Sequence, residues 1–270
     1  MTDLYHYTSL KALFGIIESG VIHLGQSEMM NDPEEYSYGG RLLKEYVKEN
    51  HIDLYREFKK DLGLYSLEYD GAYLLSLTSL EDDVSQWRQY GDNGYGISIK
   101  FNSSISNNFT SLLVNKKGYQ GNAPELFYSD YGPCIYDRKE QIKIIKDRLN
   151  NMEPLIENKA FIFSEFDLYS RIFFKQEAYK GESEYRIFVS RFPTSPIEFN
   201  NQISDVSYKM GYYGITEYVS LPIFKQEKIL IDEICIGPKV NRENILNIKK
   251  MIYKSHHIDV NVKPSLTKMR

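Results

Sequence analysis

The sequence predicts an α+β fold with a split, mostly antiparallel sheet and a helical insertion. Strand-like patterns cluster towards both ends of the 270 residues, whereas the middle of the chain is more helical. The regular alternation of strands and helices that is typical of a doubly wound parallel sheet is missing. No internal repeat, low-complexity tract or linker rich in proline and glycine divides the sequence, so we predict one domain over residues 1–270.

The first twenty residues predict a strand followed by an amphipathic helix. One face of that helix carries apolar side chains at helical spacing, which are Leu10, Leu13, Phe14 and Ile17. Ser9 is the expected N-cap, Thr8 places a second hydroxyl beside it, and Gly20 supplies the C-terminal stop. His6 therefore lies at a strand-to-helix junction, where polar side chains and helix N-terminal N–H groups can bind a ligand. The alternative is that His6 is a satisfied strand histidine and that Thr8 and Ser9 only cap the helix.

The remaining elements follow from the same patterns. A helix is predicted over residues 33–49, with Pro33 in its first turn and Asp32 as its cap. A short helix contains Trp87 and ends at Gly91. Three more helices are predicted over residues 138–151, from Pro154 to Phe166, and after a cap at Asn241. Strands are predicted over residues 72–78, 95–101, 185–190, 218–221, 228–236 and 258–262.

Composition and charge argue against several classes of protein. A formal net charge of −4 is unsuited to broad coating of a nucleic-acid duplex, and no run approaches the ~18 apolar residues of a transmembrane helix. Because the acidic Asp3 also argues against a signal peptide, we expect a cytoplasmic protein that does not bind a membrane. Cys134 and Cys235 lie in apolar runs and are expected to be buried, reduced thiols. The five histidines lack the spacing of a metal site, so none is predicted.

Residues 221–270 are the most basic part of the sequence. Their cations are Lys225, Lys228, Lys239, Arg242, Lys249, Lys250, Lys254, Lys263, Lys268 and Arg270. Together with the 23 tyrosines of the chain, this region could hold a short single strand of RNA or DNA through phosphate contacts and base stacking. The alternative is that these cations form an ordinary solvated surface.

Several short segments, taken together, resemble the bacterial domain-of-unknown-function family 2971. They are Tyr5-His-Tyr-Thr-Ser9, Asn31-Asp-Pro-Glu34, Trp87-Arg-Gln-Tyr-Gly-Asp-Asn-Gly-Tyr-Gly96, Glu182-Ser-Glu-Tyr-Arg-Ile187 and Ile234-Cys-Ile-Gly-Pro238. The resemblance spans nearly the whole chain. The same landmarks also resemble the three-part active site of NAD-dependent ADP-ribosyltransferases, which implies a split-sheet fold of that kind.

The second resemblance implies a set of residues that bind NAD, which is the substrate of such enzymes. The histidine on the first strand would be His6, followed by Tyr7, Thr8 and Ser9. The hydroxyl residue on a middle strand would be Ser76 or Thr78, and the late glutamate would be Glu184. Trp87 and Tyr90 could build a cleft wall beside NAD, although a tryptophan in the core is an equal alternative for Trp87.

The Glu-x-Glu-x-Arg segment carries the predicted chemistry. Period two would place Glu182, Glu184 and Arg186 on one face of a strand. Cleavage of the nicotinamide–ribose bond passes through a cation-like sugar that a carboxylate stabilises. Arg186 could keep Glu184 ionised and is also predicted among the residues that bind NAD. By resemblance, Glu184 would bond the ribose 2′-hydroxyl, while Glu182 would orient or deprotonate the acceptor. The alternative is a solvated strand edge with alternating charges.

These observations favour a NAD-dependent ADP-ribosyltransferase that acts as a toxin-like or phage-defence effector in a bacterium. Its acceptor would be a macromolecule, with RNA or DNA favoured over protein, and an antitoxin or inhibitor protein is a further candidate partner. Two alternatives stay open. One is a NAD glycohydrolase, in which water replaces the acceptor, and the other is a non-catalytic module of the same fold that binds a nucleotide or nucleic acid.

Overall fold

A ten-stranded sheet organises the part of the chain that the computed structural model describes, which comprises residues 2–29, 33–58, 72–101, 127–152, 159–191, 206–211, 214–225 and 228–269. The sheet strands are β1 (Leu4–Thr8), β2 (Val21–Gln26), β3 (Ala72–Thr78), β4 (Ile97–Phe101), β5 (Phe127–Pro133), β6 (Glu184–Arg191), β7 (Ser207–Gly211), β8 (Gly214–Pro222), β11 (Ile231–Ile236) and β12 (Asn261–Pro264). A separate small pair is formed by β9 (Phe224–Lys225) and β10 (Lys228–Ile229).

Seven α-helices accompany these strands in the described ranges. They are α1 (Leu10–Ser19), α2 (Pro33–Asn50), α3 (Ile52–Phe58), α4 (Val84–Gln89), α5 (Arg138–Met152), α6 (Lys159–Phe173) and α7 (Asn244–His256). Short 3₁₀ helices cover Ser27–Met29, Asp92–Gly94 and Glu177–Glu182. Helices and a mostly antiparallel sheet confirm the predicted α+β class.

The sheet runs in the order β12-β11-β4-β1-β3-β2-β8-β7, and β6 joins β3 while β5 joins β6. Every pair is antiparallel except β11 with β12. The strands that meet at the centre come from distant parts of the sequence, since β1 pairs with β4 and β4 pairs with β11.

Strand β3 lies at a fork in the sheet. Strand β6 pairs with the whole length of β3, from Ala72 to Thr78. The opposite edge of β3 is shared, because β2 pairs with Tyr73 and Leu74 whereas β1 pairs only with Thr78. Strands β1 and β2 therefore diverge beside Ser76, and the gap between them becomes the candidate site.

Apolar side chains pack on both faces of the sheet. On one face, α1 contributes Leu13 and Ile17 and α7 contributes Ile248 and Ile252 to the largest core cluster. On the other face, α6 packs against the central strands, and α2 and α5 pack against α6 in turn. Helices α2 and α6 approach closely at Gly39, where a Cβ atom would lie 1.8 Å from the carbonyl oxygen of Ser170.

Several predicted boundaries are wrong by a few residues. Phe14 does not belong to the buried face of α1, because it is 50% exposed and Ile16 is buried instead. Helix α7 begins three residues after Asn241, whose side chain accepts from the Glu243 N–H. Helix α6 extends beyond Phe166 to Phe173.

Two strand predictions also shift, and two predicted cap or start positions lie outside the described residues. The last strand covers residues 261–264 rather than 258–262, and the strand predicted over 228–236 divides into β10 and β11. Asp32 and Pro154 fall in the ranges for which no structure is described. Cys134 and Cys235 are free and buried, as the sequence predicts.

Candidate active site

A cavity of about 110 Å³ opens at the fork between β1 and β3. Most of the predicted site residues line it, together with four that were not predicted. The full lining is Tyr5, His6, Tyr7, Ser76, Leu77, Thr78, Gln86, Tyr90, Lys175, Glu182 and Glu184. The cavity has room for a ring-sized group rather than a whole dinucleotide, since complete ligand sites usually measure about 300–1,000 Å³.

Two carboxylates in the cavity share one buried ammonium group. The Lys175 Nζ atom donates to Glu182 Oε2 at 2.6 Å and to Glu184 Oε2 at 2.7 Å. The lysine side chain is only 2% exposed. Burial by itself lowers the pKa of Lys175, but the two carboxylates outweigh it and raise that pKa above its ordinary value. Lys175 therefore stays charged and holds the two carboxylates together.

The two glutamates do not share a strand, which corrects the predicted period-two arrangement. Strand β6 begins at Glu184, whereas Glu182 ends a 3₁₀ helix. Ser183 lies between them with φ 46° and ψ 46°, in the left-handed region that is uncommon for residues other than glycine. This turn, rather than strand alternation, brings both carboxylates to Lys175.

Arg186, one of the residues predicted to bind NAD, lies behind the cavity instead of lining it. Its Nε atom donates to Glu184 Oε1 at 2.9 Å, its Nη2 atom donates to Oε2 at 3.1 Å, and Nη1 donates to the carbonyl of Ile172 at 2.6 Å. Only 2% of the residue is exposed. Arg186 therefore positions Glu184 and is not available to a ligand.

Glu184 is itself deeply buried, at 6% exposure. Burial raises its pKa above the ordinary range of a carboxyl, and the Lys175 ammonium opposes that rise. The Cys134 thiol lies 3.6 Å from Glu184 Oε2, and the Tyr136 hydroxyl accepts from the Glu184 backbone N–H at 2.9 Å. Glu182 is the more accessible of the two carboxylates, because its side chain is 18% exposed.

His6 closes the fork with a hydrogen bond that replaces a missing strand contact. Its Nδ1 atom lies 3.0 Å from the carbonyl oxygen of Ser76, at the point where β1 and β2 diverge. Burial lowers the pKa of His6, so the ring is neutral near pH 7 and presents its second nitrogen for a further hydrogen bond.

The side-chain hydroxyl groups of Ser76 and Thr78 on β3 differ in their hydrogen bonds. The Thr78 hydroxyl donates to the carbonyl of Glu182 at 2.7 Å and accepts from the Leu80 N–H at 3.1 Å. Among the described residues, the buried Ser76 hydroxyl makes no hydrogen bond of ordinary geometry, but it interacts with the Glu184 carboxylate and helps to lower the pKa of Glu184. Of the pair that the sequence left open, Ser76 is thus the one whose hydroxyl faces the carboxylate in the cavity.

Tyrosine rings form the apolar part of the wall. The Tyr90 hydroxyl donates to Glu182 Oε1 at 2.9 Å, and the Tyr7 hydroxyl donates to the Leu80 carbonyl at 2.9 Å. Tyr90 remains 39% exposed, so it lies at the mouth of the cavity. Tyr5 completes the aromatic lining.

Trp87, Thr8 and Ser9, three of the residues predicted to bind NAD, do not line the cavity. Trp87 is fully buried behind Tyr7, with their ring centroids 4.8 Å apart, and its Nε1 atom donates to Asp82. This is the core position that the sequence left open as an alternative. Ser9 caps α1, because its hydroxyl accepts from the Ala12 N–H at 3.1 Å.

Sequence reasoning missed Lys175, the residue that connects the two carboxylates. A lysine directly after the apolar pair Phe173-Phe174 was the available signal, because lysine is almost never fully buried unless it is paired. Gln86 was also missed; its amide lies 3.5 Å from the carbonyl of Glu182.

Residues 86–187 match the family model described as "Protein of unknown function (DUF2971)". The matched segment includes Tyr90, Lys175, Glu182 and Glu184, whereas His6 and Ser76 precede it. This match supports the resemblance to that family of unknown function. No curated protein and no solved structure matches the chain significantly.

None of the helices in the described ranges combines the length and the apolar character that crossing a membrane requires.

Proposed function

We propose that the cavity binds the nicotinamide–ribose end of NAD and that the protein transfers ADP-ribose to a macromolecule. The observation that carries this proposal is the convergence of His6, Ser76 and the pair Glu182 and Glu184 on one cavity. These residues come from three distant segments of the chain, and each was selected from the sequence for a role in binding or cleaving NAD.

The lining suits the nicotinamide group of NAD, which is a flat aromatic cation. Tyrosine faces attract such a cation, and Tyr5, Tyr7 and Tyr90 surround the space beside Glu182. The Ser76 hydroxyl beside Glu184 and the neutral His6 ring offer hydrogen bonds to a carboxamide or a ribose hydroxyl.

The reaction breaks the bond between nicotinamide and C1′ of the ribose, and its electron pair leaves with nicotinamide. The sugar becomes cation-like, and a carboxylate beside it lowers the energy of that transition state. The acceptor then donates an electron pair to C1′ and its proton passes to Glu182, the more exposed carboxylate. Glu184, held by Lys175 and Arg186, keeps the second negative charge in place.

The acceptor remains RNA or DNA in preference to protein, on the basis of the basic region in residues 221–270. A toxin-like or phage-defence role, with an antitoxin or inhibitor as partner, follows from the same proposal. If water replaces the acceptor, the same cavity acts as a NAD glycohydrolase.

A second candidate is a non-catalytic module that binds a nucleotide. The observation in its favour is that both oxygens of Glu184 already accept from Arg186 and Lys175, as in an ion cluster that only supports a fold.

Nicotinamide release from NAD separates these candidates. We expect the wild-type protein and the control Glu140→Gln, which changes an exposed carboxylate on α5, to release nicotinamide at equal rates. Glu182→Gln should reduce the rate by roughly 10²-fold or more, a loss typical of removing one electrostatic or proton-transfer group. NAD binding without any nicotinamide release would favour the non-catalytic module. Transfer of radiolabel from NAD to RNA, DNA or protein then distinguishes the transferase from the glycohydrolase.

A further inference from the structure

Strands β2, β8 and β7 follow, in this order, on one side of β3, the strand that carries the cavity residues Ser76 and Thr78. Ile22 and Leu24 of β2 face the core with α1 and α7, so His23 between them faces the opposite side. Strand β2 pairs with β3 at Gly25 and Leu74. The next residues on the same face are His23 of β2 and Ser76 of β3, which lie on the two sides of the fork.

An aromatic stack lies on this face. The rings of His23 and Tyr218 are stacked with centroids 3.8 Å apart and planes inclined by 27°. Both residues are partly exposed, so the stack forms a flat surface beside the fork.

An ammonium group stands over that surface. Lys209 on β7 places its Nζ atom 5.4 Å from the centroid of the Tyr218 ring. In the described part of the chain, no carboxylate lies within ion-pair distance of Lys209. The neighbouring Glu217 faces the other side of the sheet, where it accepts from the Tyr73 hydroxyl at 2.7 Å.

Lys209 is close enough to act on both histidines of the fork. Burial lowers the pKa of His6 and of His23, and the positive charge of Lys209 lowers both further. The positive charge of one cation thus acts on both the cavity residue His6 and His23 of the exposed stack.

We infer that His23, Tyr218 and Lys209 form an anion subsite that binds the diphosphate of the dinucleotide whose nicotinamide end enters the cavity. This inference rests on the proposed function. The carboxylates that would act on the ribose lie in the cavity, whereas the Lys209 ammonium lies across the fork. Within the described ranges, no carboxylate pairs with Lys209 and competes with a diphosphate for it.

The test compares ligands with and without phosphate groups. We expect Lys209→Gln to raise the Kd for ADP-ribose at least about tenfold, as for the loss of a charge-assisted hydrogen bond. Its Kd for nicotinamide riboside, which has no phosphate, should change less than about twofold. Lys209→Arg should restore most of the affinity. Lys48→Gln on α2 removes an equally exposed lysine and should leave both constants unchanged.

Three results would overturn the subsite: equal ADP-ribose affinity in Lys209→Gln and Lys48→Gln, equal losses for both ligands, or a loss confined to a short single-stranded RNA. A different result would contradict the proposed function without contradicting the subsite. If ADP-ribose binding depends on Lys209 but the protein releases no nicotinamide from NAD, the subsite stands and the transferase reaction does not.

Discussion

Replacing Glu184 by glutamine should destabilise the protein far more than the same change at Glu182. Glutamine preserves the shape of the side chain but removes the negative charge. In Glu184→Gln, one carboxylate oxygen becomes an amide NH2 group, which cannot accept. Either the Arg186 Nε contact of 2.9 Å or the Lys175 and Arg186 Nη2 contacts of 2.7 and 3.1 Å are lost, and the NH2 group then faces a buried cation. Both cations are only 2% exposed, so water cannot replace the lost carboxylate.

Removing one partner of a buried ion pair typically lowers the free energy of unfolding by about 3–5 kcal/mol, and we expect a loss of this size for Glu184→Gln. For a chain of this size, that loss corresponds to a decrease in Tm of roughly 6–20 °C. Glu182→Gln should cost only about 1 kcal/mol, because the side chain is partly exposed and Lys175 retains Glu184.

Urea unfolding followed by circular dichroism at pH 7 measures both variants against the wild-type protein. If the free energy of unfolding of Glu184→Gln lies within about 1 kcal/mol of that of Glu182→Gln, the ion cluster does not stabilise the site as argued. The comparison also has a practical result. Glu182→Gln is the safer variant for activity measurements, since its loss of activity is not confounded with unfolding.

Three further predictions follow from the same site and its surroundings. Ser183→Gly should leave the free energy of unfolding unchanged or increase it by up to about 1 kcal/mol, whereas Ser183→Val should decrease it by at least about 1 kcal/mol, because φ is 46° there; equal effects in urea unfolding would contradict this. His6 has a folded-state pKa below its ordinary 6.5, so the unfolded state binds the proton more readily and stability should decrease as the pH falls below about 6.5. His6→Asn should flatten that dependence between pH 7 and 5, and an unchanged slope would refute the assignment. Asp82→Ala should speed amide hydrogen exchange over residues 265–269, because the Asp82 carboxylate accepts from Ser265 and from two backbone N–H groups that follow it; unchanged exchange would show that the tail is held by other contacts.

Several core strands and most cavity residues could be predicted from local patterns, whereas strands β2, β5 and β7 were not predicted. His6 precedes a capped helix, and Ser76 lies in a short apolar run that is typical of a buried strand, so the sequence assigned both residues to the correct elements. That they meet Glu182 and Glu184 was suggested by the resemblance rather than by spacing, since pairing between distant strands leaves no local signal.

The errors have specific physical causes. Glu182 and Glu184 were placed on one strand because the sequence alternates, yet the left-handed turn at Ser183 precedes the first strand residue. The burial of Trp87 depends on Tyr7 and Asp82, which are brought to it only by the folded sheet. Lys175 was not predicted as a site residue because a 3₁₀ helix separates it from Glu182 and Glu184, and neither α-helical nor strand spacing relates residues across such a segment.

The fork at β3 has a consequence for how the protein folds. Strand β1 is tied into the sheet mainly through β4, by pairs such as Leu4 with Phe101, while Ser76 is paired with Arg186 on β6. These ladders close loops of about a hundred residues, and such non-local pairing is slow to form. His6, Ser76 and Glu184 therefore become neighbours only after two long-range ladders exist. A nascent or partly folded chain has no assembled site, so any activity of the cavity should appear in step with the cooperative formation of the sheet rather than before it.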